Sequence, residues 1–316
     1  MKMRLTLAAP ALCLLLTSSL LGQANPNAVA ILRWYPANLT TSFPVGTAPV
    51  GVAFDGQSVW VVNNLSNSVT KLQASDGSCI ATCTFSVGNF PREVVFDGSN
   101  IWVTNANDNT VTKLRASDGA CVGTCTFAVG NNPNNLAFDG TNIWVSNNGS
   151  NTLSVIMAST GTLVRTCPTG NSPSGVIFDG TNIWVANTAD NKVWKMEVTC
   201  SVLGRYSAGN TPEAVAFDGT NIWVTNSTGA NTVTELSESG AKLGTVPVGS
   251  DPVGLAFDGA NMWVANYESS NVTKIKVSNR TVLGTFPITG ANATRVAFDG
   301  ANIWITDNGS GTISKM

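Results

Sequence analysis

One tripeptide, Phe-Asp-Gly, recurs along the chain at a nearly constant interval and limits the possible folds more than any other feature of the sequence. Its glycine occupies seven positions, each 39 to 42 residues after the last: Gly56, Gly98, Gly140, Gly180, Gly219, Gly259 and Gly300. Four residues after each glycine there is a tryptophan: Trp60, Trp102, Trp144, Trp184, Trp223, Trp263 and Trp304. A period of about 20 to 50 residues is typical of solenoids and propellers. The 316 residues are therefore expected to contain one repeat domain.

Each repeat has the pattern of four short strands. In the unit that spans residues 212–249, apolar or alternating runs cover residues 214–217, 222–225, 232–236 and 243–248. Between the first two runs, Asp-Gly is a strong signal for a tight turn. An antiparallel meander of four strands in about 40 residues is typical of a propeller blade.

The sequence thus predicts an all-β fold, a seven-bladed β-propeller with four-stranded antiparallel blades. The blades are expected near residues 49–88, 91–130, 133–170, 173–209, 212–249, 252–290 and 294–316, the last together with residues 41–46. One such sheet alone would leave Val215, Phe217 and Trp223 exposed to water, whereas a ring of sheets covers both faces of every blade. Because no long segment has helical periodicity, the pattern excludes a parallel α/β fold.

The two ends of the repeat region predict how the ring closes. The seventh unit stops at residues 312–316, which match the third strand of the other units, so its fourth strand is missing. Residues 41–46 match the fourth strand seen at 244–248 and 284–288. The N-terminal strand is therefore expected to complete the last blade and close the ring, with residues 25–40 as a lead-in.

Residues 1–24 have the pattern of a secretory signal peptide. Lys2 and Arg4 form a charged start, residues 5–21 are largely apolar, and Gly-Gln-Ala at 22–24 offers a cleavage site. The alternative is a membrane anchor, but polar residues interrupt the apolar stretch, which is shorter than a span of about 20 residues. The mature protein is expected to have no membrane span and to be secreted, periplasmic or on the cell surface.

The composition argues against several functions. The formal net charge is −2, and no run of Lys or Arg could neutralise successive phosphates, so nucleic acid is not an expected partner. The chain has no histidine, which removes the commonest general acid/base and the commonest metal ligand. No phosphate-binding loop, serine nucleophile elbow or paired-carboxylate motif stands out. The sequence therefore indicates no catalytic residue, no metal and no cofactor.

Six of the seven cysteines follow the signal sequence and are expected in an oxidising compartment. Two C-x-x-x-C pairs lie at the same point of consecutive units: Cys79 with Cys83 and Cys121 with Cys125. Each pair is expected to form a disulfide within its hairpin. The alternative is one zinc site shared by all four, although strand spacing places the two hairpins about 15 Å apart. Cys167 and Cys200 could pair by elimination, or remain two buried thiols.

The second strand of the units carries a tetrapeptide with a constant tryptophan. It reads Trp-Val-Val-Asn at 60–63, Trp-Val-Thr-Asn at 102–105 and 223–226, Trp-Val-Ser-Asn at 144–147, Trp-Val-Ala-Asn at 184–187 and 263–266, and Trp-Ile-Thr-Asp at 304–307. With Asn-Thr-Val-Thr-Lys-Leu and a Val-Gly-x-x-Pro junction, it resembles the YVTN family of β-propeller repeats, with tryptophan in place of tyrosine. The resemblance covers nearly all of residues 41–316. It implies an extracytoplasmic or cell-surface propeller and identifies no ligand.

The chain also resembles the streptogramin B lyases, seven-bladed propellers that open a cyclic depsipeptide antibiotic. That resemblance implies a histidine base and magnesium held by acidic residues, but the histidine has no counterpart in this chain. A metal-dependent lyase or hydrolase is therefore the alternative to a binding role.

The repeated aspartates and tryptophans are interpreted as structural. The aspartates are Asp55, Asp97, Asp139, Asp179, Asp218, Asp258 and Asp299. An aspartate before glycine suits a hairpin, because its side chain bonds neighbouring backbone N–H groups, and this interpretation is preferred to a ring of metal ligands. The tryptophans are expected to form a packing layer between blades rather than an aromatic ligand surface.

A ligand site is expected where the units differ, because folding explains the shared positions. In propellers, the links from strand four to strand one and from strand two to strand three share one face around the central channel. On the first links the departures are Phe90, Arg92, Glu93, Asn134, Asn135, Glu213, Asp251 and Arg295. On the second they are Asp108, Asp190, Tyr267, Glu268 and Asp307.

These departures predict a binding or scaffold module, expected to be monomeric, at the mouth of the channel. The expected ligand-binding residues are Phe90, Arg92, Glu93, Asn135, Glu213, Tyr267, Glu268 and Arg295. Among them Arg92, Glu93, Glu213 and Arg295 are expected to ring the mouth and bind a protein, a peptide or a small polar ligand. The alternative is that they are solvated charges that pair with one another.

Overall fold

The computed structural model describes residues 42–79, 82–121 and 123–316. The described residues form seven antiparallel sheets of four strands each. The first three blades follow a lone strand β1 (Ser42–Pro44): β2 (Pro49–Phe54), β3 (Ser58–Asn63), β4 (Ser68–Gln73) and β5 (Thr84–Ser86); β6 (Pro91–Phe96), β7 (Asn100–Asn105), β8 (Thr110–Arg115) and β9 (Thr126–Ala128); β10 (Pro133–Phe138), β11 (Asn142–Asn147), β12 (Thr152–Met157) and β13 (Leu163–Pro168).

Blades 4 to 7 follow in chain order, with a short 3-10 turn at Thr188–Asp190. Their strands are β14 (Pro173–Phe178), β15 (Asn182–Asn187), β16 (Lys192–Glu197) and β17 (Val202–Tyr206); β18 (Pro212–Phe217), β19 (Asn221–Asn226), β20 (Thr232–Ser237) and β21 (Lys242–Pro247); β22 (Pro252–Phe257), β23 (Asn261–Asn266), β24 (Asn271–Lys276) and β25 (Thr281–Pro287); β26 (Ala293–Phe298), β27 (Ile303–Asp307) and β28 (Thr312–Lys315).

The seven sheets form a closed ring. The first strand of each blade is innermost and contacts the first strand of the next blade, and β26 contacts β2 to complete the circle. The predicted seven-bladed propeller is confirmed. No helix in the described part of the chain is long and apolar enough to span a membrane. The predicted signal peptide (residues 1–24) and lead-in (25–40) lie outside the described residues.

The N-terminal strand completes the last blade, as predicted. Strand β1 pairs antiparallel with β28, with Phe43 opposite Ile313. The Val45 N–H donates to the Gly311 carbonyl at 3.0 Å, which extends the pairing beyond the strand. The Phe43 ring lies 5.6 Å from the Trp304 ring. The edge of β28 is therefore covered by a segment that precedes the first blade.

Each tryptophan is tied to the aspartate of its own Phe-Asp-Gly turn. In all seven blades the indole Nε1–H donates to the aspartate Oδ2 at 2.6–2.8 Å. The aspartate Oδ1 accepts backbone N–H groups of the turn. Asp179 Oδ1, for example, accepts the N–H groups of Thr181 and Asn182. The predicted turn role is therefore present, and the indole bond satisfies a buried donor in the packing layer.

A large side chain on the fourth strand packs against the next blade at several junctions. The pairs are Phe43 with Gly77, Phe85 with Gly119, Phe127 with Gly161 and Tyr206 with Gly240. These glycines have φ between 72° and 84°, and a Cβ there would lie within 2.0–2.2 Å of the ring. Glycine is thus required both for the left-handed turn and for the close approach of the aromatic ring.

Three disulfides join the six cysteines of the described residues: Cys79–Cys83, Cys121–Cys125 and Cys167–Cys200. The first two close the predicted hairpins. The third lies at a junction where the aromatic and the glycine are both absent: Cys167 takes the place of the aromatic in blade 3, and Cys200, at φ 81°, takes the place of the glycine in blade 4. A covalent bond therefore replaces the ring contact. Three disulfides indicate an oxidising, extracytoplasmic environment.

Candidate functional site

The second and third residues of the inner strands surround the channel mouth. In blade order the second residues are Val50, Arg92, Asn134, Ser174, Glu213, Val253 and Thr294. The third residues are Gly51, Glu93, Asn135, Gly175, Ala214, Gly254 and Arg295. The register with the second strand shifts at this point in every blade, as between Pro91 and Val94. Such bulges re-aim side chains, and here they release both positions from the ladder in six blades, whereas in blade 6 Gly254 stays paired with Ala265.

The residue before each inner strand adopts a left-handed conformation. These residues are Ala48, Phe90, Asn132, Ser172, Thr211, Asp251 and Asn292. Phe90, at φ 55°, is the bulky member of this set, and its N–H donates to Asn67 Oδ1 at 3.0 Å. A large side chain in this region costs about 1 kcal/mol or more, and the repeated geometry of the junction imposes that conformation here. The junction therefore holds the Phe90 ring beside the channel mouth.

Arg295 and Glu93 form an ion pair that bridges three blades. The Arg295 Nε–H donates to Glu93 Oε2 at 2.7 Å, and its Nη1 donates to the Val253 carbonyl. The equivalent residue of the blade between them is Gly51, where a Cβ would lie 2.8 Å from Glu93 Oε1. Only 20% of the Arg295 side chain and 10% of the Glu93 side chain are exposed. For Arg295 and Glu93, the structure therefore shows the second alternative, in which the charged residues pair with one another.

The neighbouring carboxylates keep Arg295 charged despite its burial. Burial acts to lower the pKa of Arg295, but the Glu93 and Glu213 carboxylates outweigh burial and raise that pKa. Asn135 Nδ2 also donates to Glu93 Oε2, at 3.3 Å. The site residues Glu93, Asn135 and Arg295 are thus connected to each other.

We expect Arg295→Met to lower the free energy of unfolding by about 2 kcal/mol, because it leaves the Glu93 carboxylate buried without its partner. Glu93→Gln in the same chain should recover part of that loss, so the two changes should be non-additive. Chemical denaturation of the four proteins of this cycle measures the coupling. Strictly additive costs would contradict an energetically coupled pair.

Arg92 lines a cavity of about 230 Å³ at the channel mouth. The cavity is lined by Val50, Asn64, Phe90, Arg92, Asn134, Glu213, Thr294 and Arg295. The Arg92 guanidinium lies 5.4 Å from the centre of the Phe90 ring, within the range of a cation–π contact. Its Nε is buried and has no hydrogen-bond partner among the described residues. Burial lowers the pKa of Arg92, while the Glu213 carboxylate acts in the opposite direction.

Glu213 lines the same cavity, and hydrogen bonds from buried residues fix its carboxylate. The Ser174 hydroxyl donates to Glu213 Oε1 at 2.9 Å, and the Asn134 Nδ2 donates to the Ser174 Oγ at 3.2 Å. Ser174 is 1% exposed, so this hydrogen-bond chain is shielded from water. It orients the carboxylate of Glu213 without neutralising it.

Tyr267 and Glu268 lie beside the cavity rather than in its wall. They belong to the hairpin between β23 and β24, where the Tyr267 N–H donates to the Asp251 carbonyl at 2.8 Å. Burial and the carboxylates of Glu268 and Glu213 raise the pKa of Asp251. The structure therefore places an acidic region next to the Glu213 side of the mouth.

Four cavity residues, Val50, Asn64, Asn134 and Thr294, were not among the predicted site residues, although Asn134 was noted as a departure from the repeat. Val50 and Thr294 occupy the same inner-strand position as Arg92, so aligning the units by register would have found them. Asn64 follows the repeated asparagine of β3, and its Nδ2 donates to the Pro91 carbonyl at 2.7 Å. The equivalent residues Asn148, Thr188 and Asn308 make the same link to the next blade, so a polar residue at this position is a signal in the sequence.

Three other predicted departures have structural roles. The carboxylates of Asp108 and Asp190 accept the backbone N–H groups of Asn89 and Asn171. Asp307 is buried at the end of β27. None of the three lines the cavity at the mouth.

No family model and no curated protein matches the sequence. Solved structures do match it. A streptogramin B lyase has a TM-score of 0.73 at 16% identity, over 87% of this chain and 95% of that one. A catalytically inactive virginiamycin B lyase from Staphylococcus aureus with quinupristin has a TM-score of 0.74 at 16% identity, over 87% and 97%. Hydrazine synthase of Kuenenia stuttgartiensis has a TM-score of 0.75 at 18% identity, over 86% and 97%.

The likeness is one of fold. At such identities, proteins that share a propeller differ in the residues of their sites. The histidine and magnesium chemistry implied by the lyase resemblance does not fit the residues present. The sequence has no histidine. Within the described ranges, no three or more His, Cys, Asp or Glu side chains are grouped to hold a metal ion.

Proposed function

We propose that this chain is an exported binding propeller that holds a small polar ligand at its channel mouth, through an anionic oxygen group on Arg92. The observation that carries the proposal is that Arg92 lines a cavity while its Nε is a buried donor without a partner among the described residues. Buried donors in native proteins are normally satisfied, and their exceptions need an explanation. A carboxylate offers two acceptor oxygens in the geometry that a guanidinium matches.

The surroundings of Arg92 support a preformed site. Phe90 is held in a left-handed conformation with its ring 5.4 Å from the guanidinium, and Arg295, which is paired with Glu93, lines the same cavity. A cavity of about 230 Å³ is smaller than the 300–1,000 Å³ usual for drug-sized ligands, which favours a small molecule over a folded partner. Export is supported by the three disulfides and by the pattern of residues 1–24.

A lyase or hydrolase function is not favoured. A propeller of this kind serves both enzymes and binding proteins, so the fold does not decide between them. What weighs against the inherited lyase mechanism is that its proton acceptor has no counterpart among the residues at the mouth or elsewhere in the sequence.

The test is isothermal titration calorimetry of the mature protein with acetate, succinate and benzoate. We expect at least one of these carboxylates to bind, and Arg92→Gln to weaken its binding at least tenfold. Arg205→Gln removes the same charge from an exposed position on the outer strand β17 and should leave binding unchanged. No binding of any carboxylate, or equal binding by the Arg92→Gln protein, would refute the proposal.

A further inference from the structure

Two charged side chains at the channel mouth, Arg92 and Glu213, form no ion pair with each other. The Arg295–Glu93 ion pair accounts for one positive and one negative group. Arg92 and Glu213 line the same cavity, and the carboxylate of Glu213 acts on the guanidinium of Arg92 across it. Among the ion pairs of the described residues, none joins these two side chains within 4.0 Å. One cation and one anion thus face the same space without contact.

The negative side of this space is reinforced. Asp251 and Glu268 lie on the next blade, and the charges that act on Asp251 are the carboxylates of Glu268 and Glu213. Like charges favour the protonated form of a carboxyl group, and a cation near Glu213 would oppose that effect.

The wall of this cavity is apolar in part. Val50 and the Phe90 ring line the cavity together with the Thr294 side chain. Such a surface suits a short hydrocarbon spacer, because burying methylene groups against it is favourable. The small volume of the cavity limits the spacer to a few carbon atoms.

We infer that the ligand is a small zwitterion, with its carboxylate on Arg92 and its ammonium group directed to Glu213. This inference rests on the proposed function and adds the second half of the ligand. The carboxylate of a zwitterion accepts from the Arg92 guanidinium, and its ammonium group places a positive charge near the Glu213 carboxylate. A simple carboxylate makes only the contact with Arg92.

The test compares two matched series by calorimetry at neutral pH. One runs from glycine through β-alanine, 4-aminobutyrate and 5-aminopentanoate to 6-aminohexanoate, and the other contains acetate, propanoate, butanoate, pentanoate and hexanoate. We expect one amino acid of the series to bind at least tenfold more tightly than the acid of the same chain length. The length that binds best reports the spacing of the two charged ends.

Glu213→Gln should remove this preference, because the negative charge is lost. The amide oxygen of the substituted side chain can still accept the Ser174 hydroxyl, so the hydrogen bond is kept. The melting temperature of this variant checks that the blade remains folded, and Glu238→Gln, an exposed change of the same kind in blade 5, is the control. Equal affinities for the two series, or a preference that survives in the Glu213→Gln protein, would overturn the inference and leave the carboxylate site intact. If neither series binds, the proposed function fails, and the inference fails with it.

Discussion

A chain that begins at Thr47, and therefore lacks β1, is expected to melt about 10 °C or more below the full-length protein. It loses the whole ladder between β1 and β28 and exposes Trp304, which is fully buried in the closed ring. It also loses the Phe43 ring that packs against Gly77 of blade 1. Phe43 is only partly buried, so its ring accounts for less than the about 3–5 kcal/mol of a fully buried phenylalanine, and the lost strand pairing adds to that cost. In a domain of this size 1 kcal/mol corresponds to about 2–4 °C.

The effect should depend on closure rather than on one lost ring contact. Phe85→Ala and Phe127→Ala remove the equivalent rings in blades 1 and 2, whose fourth strands stay connected within their own meanders. We expect each to lower the melting temperature by less than the truncation does, as followed by differential scanning calorimetry. A truncated chain that melts like the full-length protein would show that the ring does not need its N-terminal strand.

Asp307→Asn is expected to stabilise the protein by up to about 3 kcal/mol at pH 8 and to have little effect near pH 4. Asp307 is fully buried; its Oδ2 accepts from Thr312 and Ser314, and its Oδ1 has no partner among the described residues. Burial raises the pKa of Asp307 from 3.8 to about 6, although the two hydroxyl groups act against this rise. A difference of this size between the folded and unfolded pKa is worth about 3 kcal/mol.

The sign follows from where the proton is bound. Because the folded pKa lies above the unfolded value, the protonated acid contributes stability that is complete below about pH 4. That contribution is lost as the pH rises through about 6, where folding must hold a buried carboxylate. Denaturation followed from pH 4 to 8 should show this decline in the natural protein and a smaller one in the Asp307→Asn protein.

Other blades supply the matched control for this substitution. The equivalent residue is Asn63, Asn105, Asn147, Asn187, Asn226 or Asn266. Asn147, for example, donates from Nδ2 to the hydroxyls of Thr152 and Ser154, at 3.1 and 3.0 Å, and its Oδ1, like that of Asp307, has no partner among the described residues. Asn147→Asp should therefore introduce the same loss of stability at neutral pH into blade 3. Equal stability profiles for the natural protein and the Asp307→Asn protein would contradict the buried-acid account.

The candidate site was predicted only in part. Phe90, Arg92, Glu213 and Arg295 were recognised because they depart from the repeat, and all four line the same cavity. Their grouping could be expected, since every blade presents the same strand to the channel. The sequence could not show which of these charged residues would remain unpaired, because Arg295 and Glu93 are 202 residues apart and meet only through ring closure.

Two of the three disulfides could be predicted from the sequence, and the third could not. The hairpin bridges could be predicted because both cysteines of each pair lie within one turn. The pairing of Cys167 with Cys200 remained open in the sequence, since it depends on how blade 3 packs against blade 4. Only the junction shows that these cysteines occupy the positions of an aromatic ring and a glycine.

The amino-acid sequence by itself determined the number of blades, their strand order and the strand that closes the ring. These features follow from a short-range pattern of apolar residues and turn residues that repeats along the chain. Only the tertiary structure decided that Arg295 pairs with Glu93, that Arg92 keeps a free buried donor and that Asp307 is enclosed without full hydrogen bonding. Charge pairing and burial depend on distances between residues from different blades, and those distances exist only once the ring has closed.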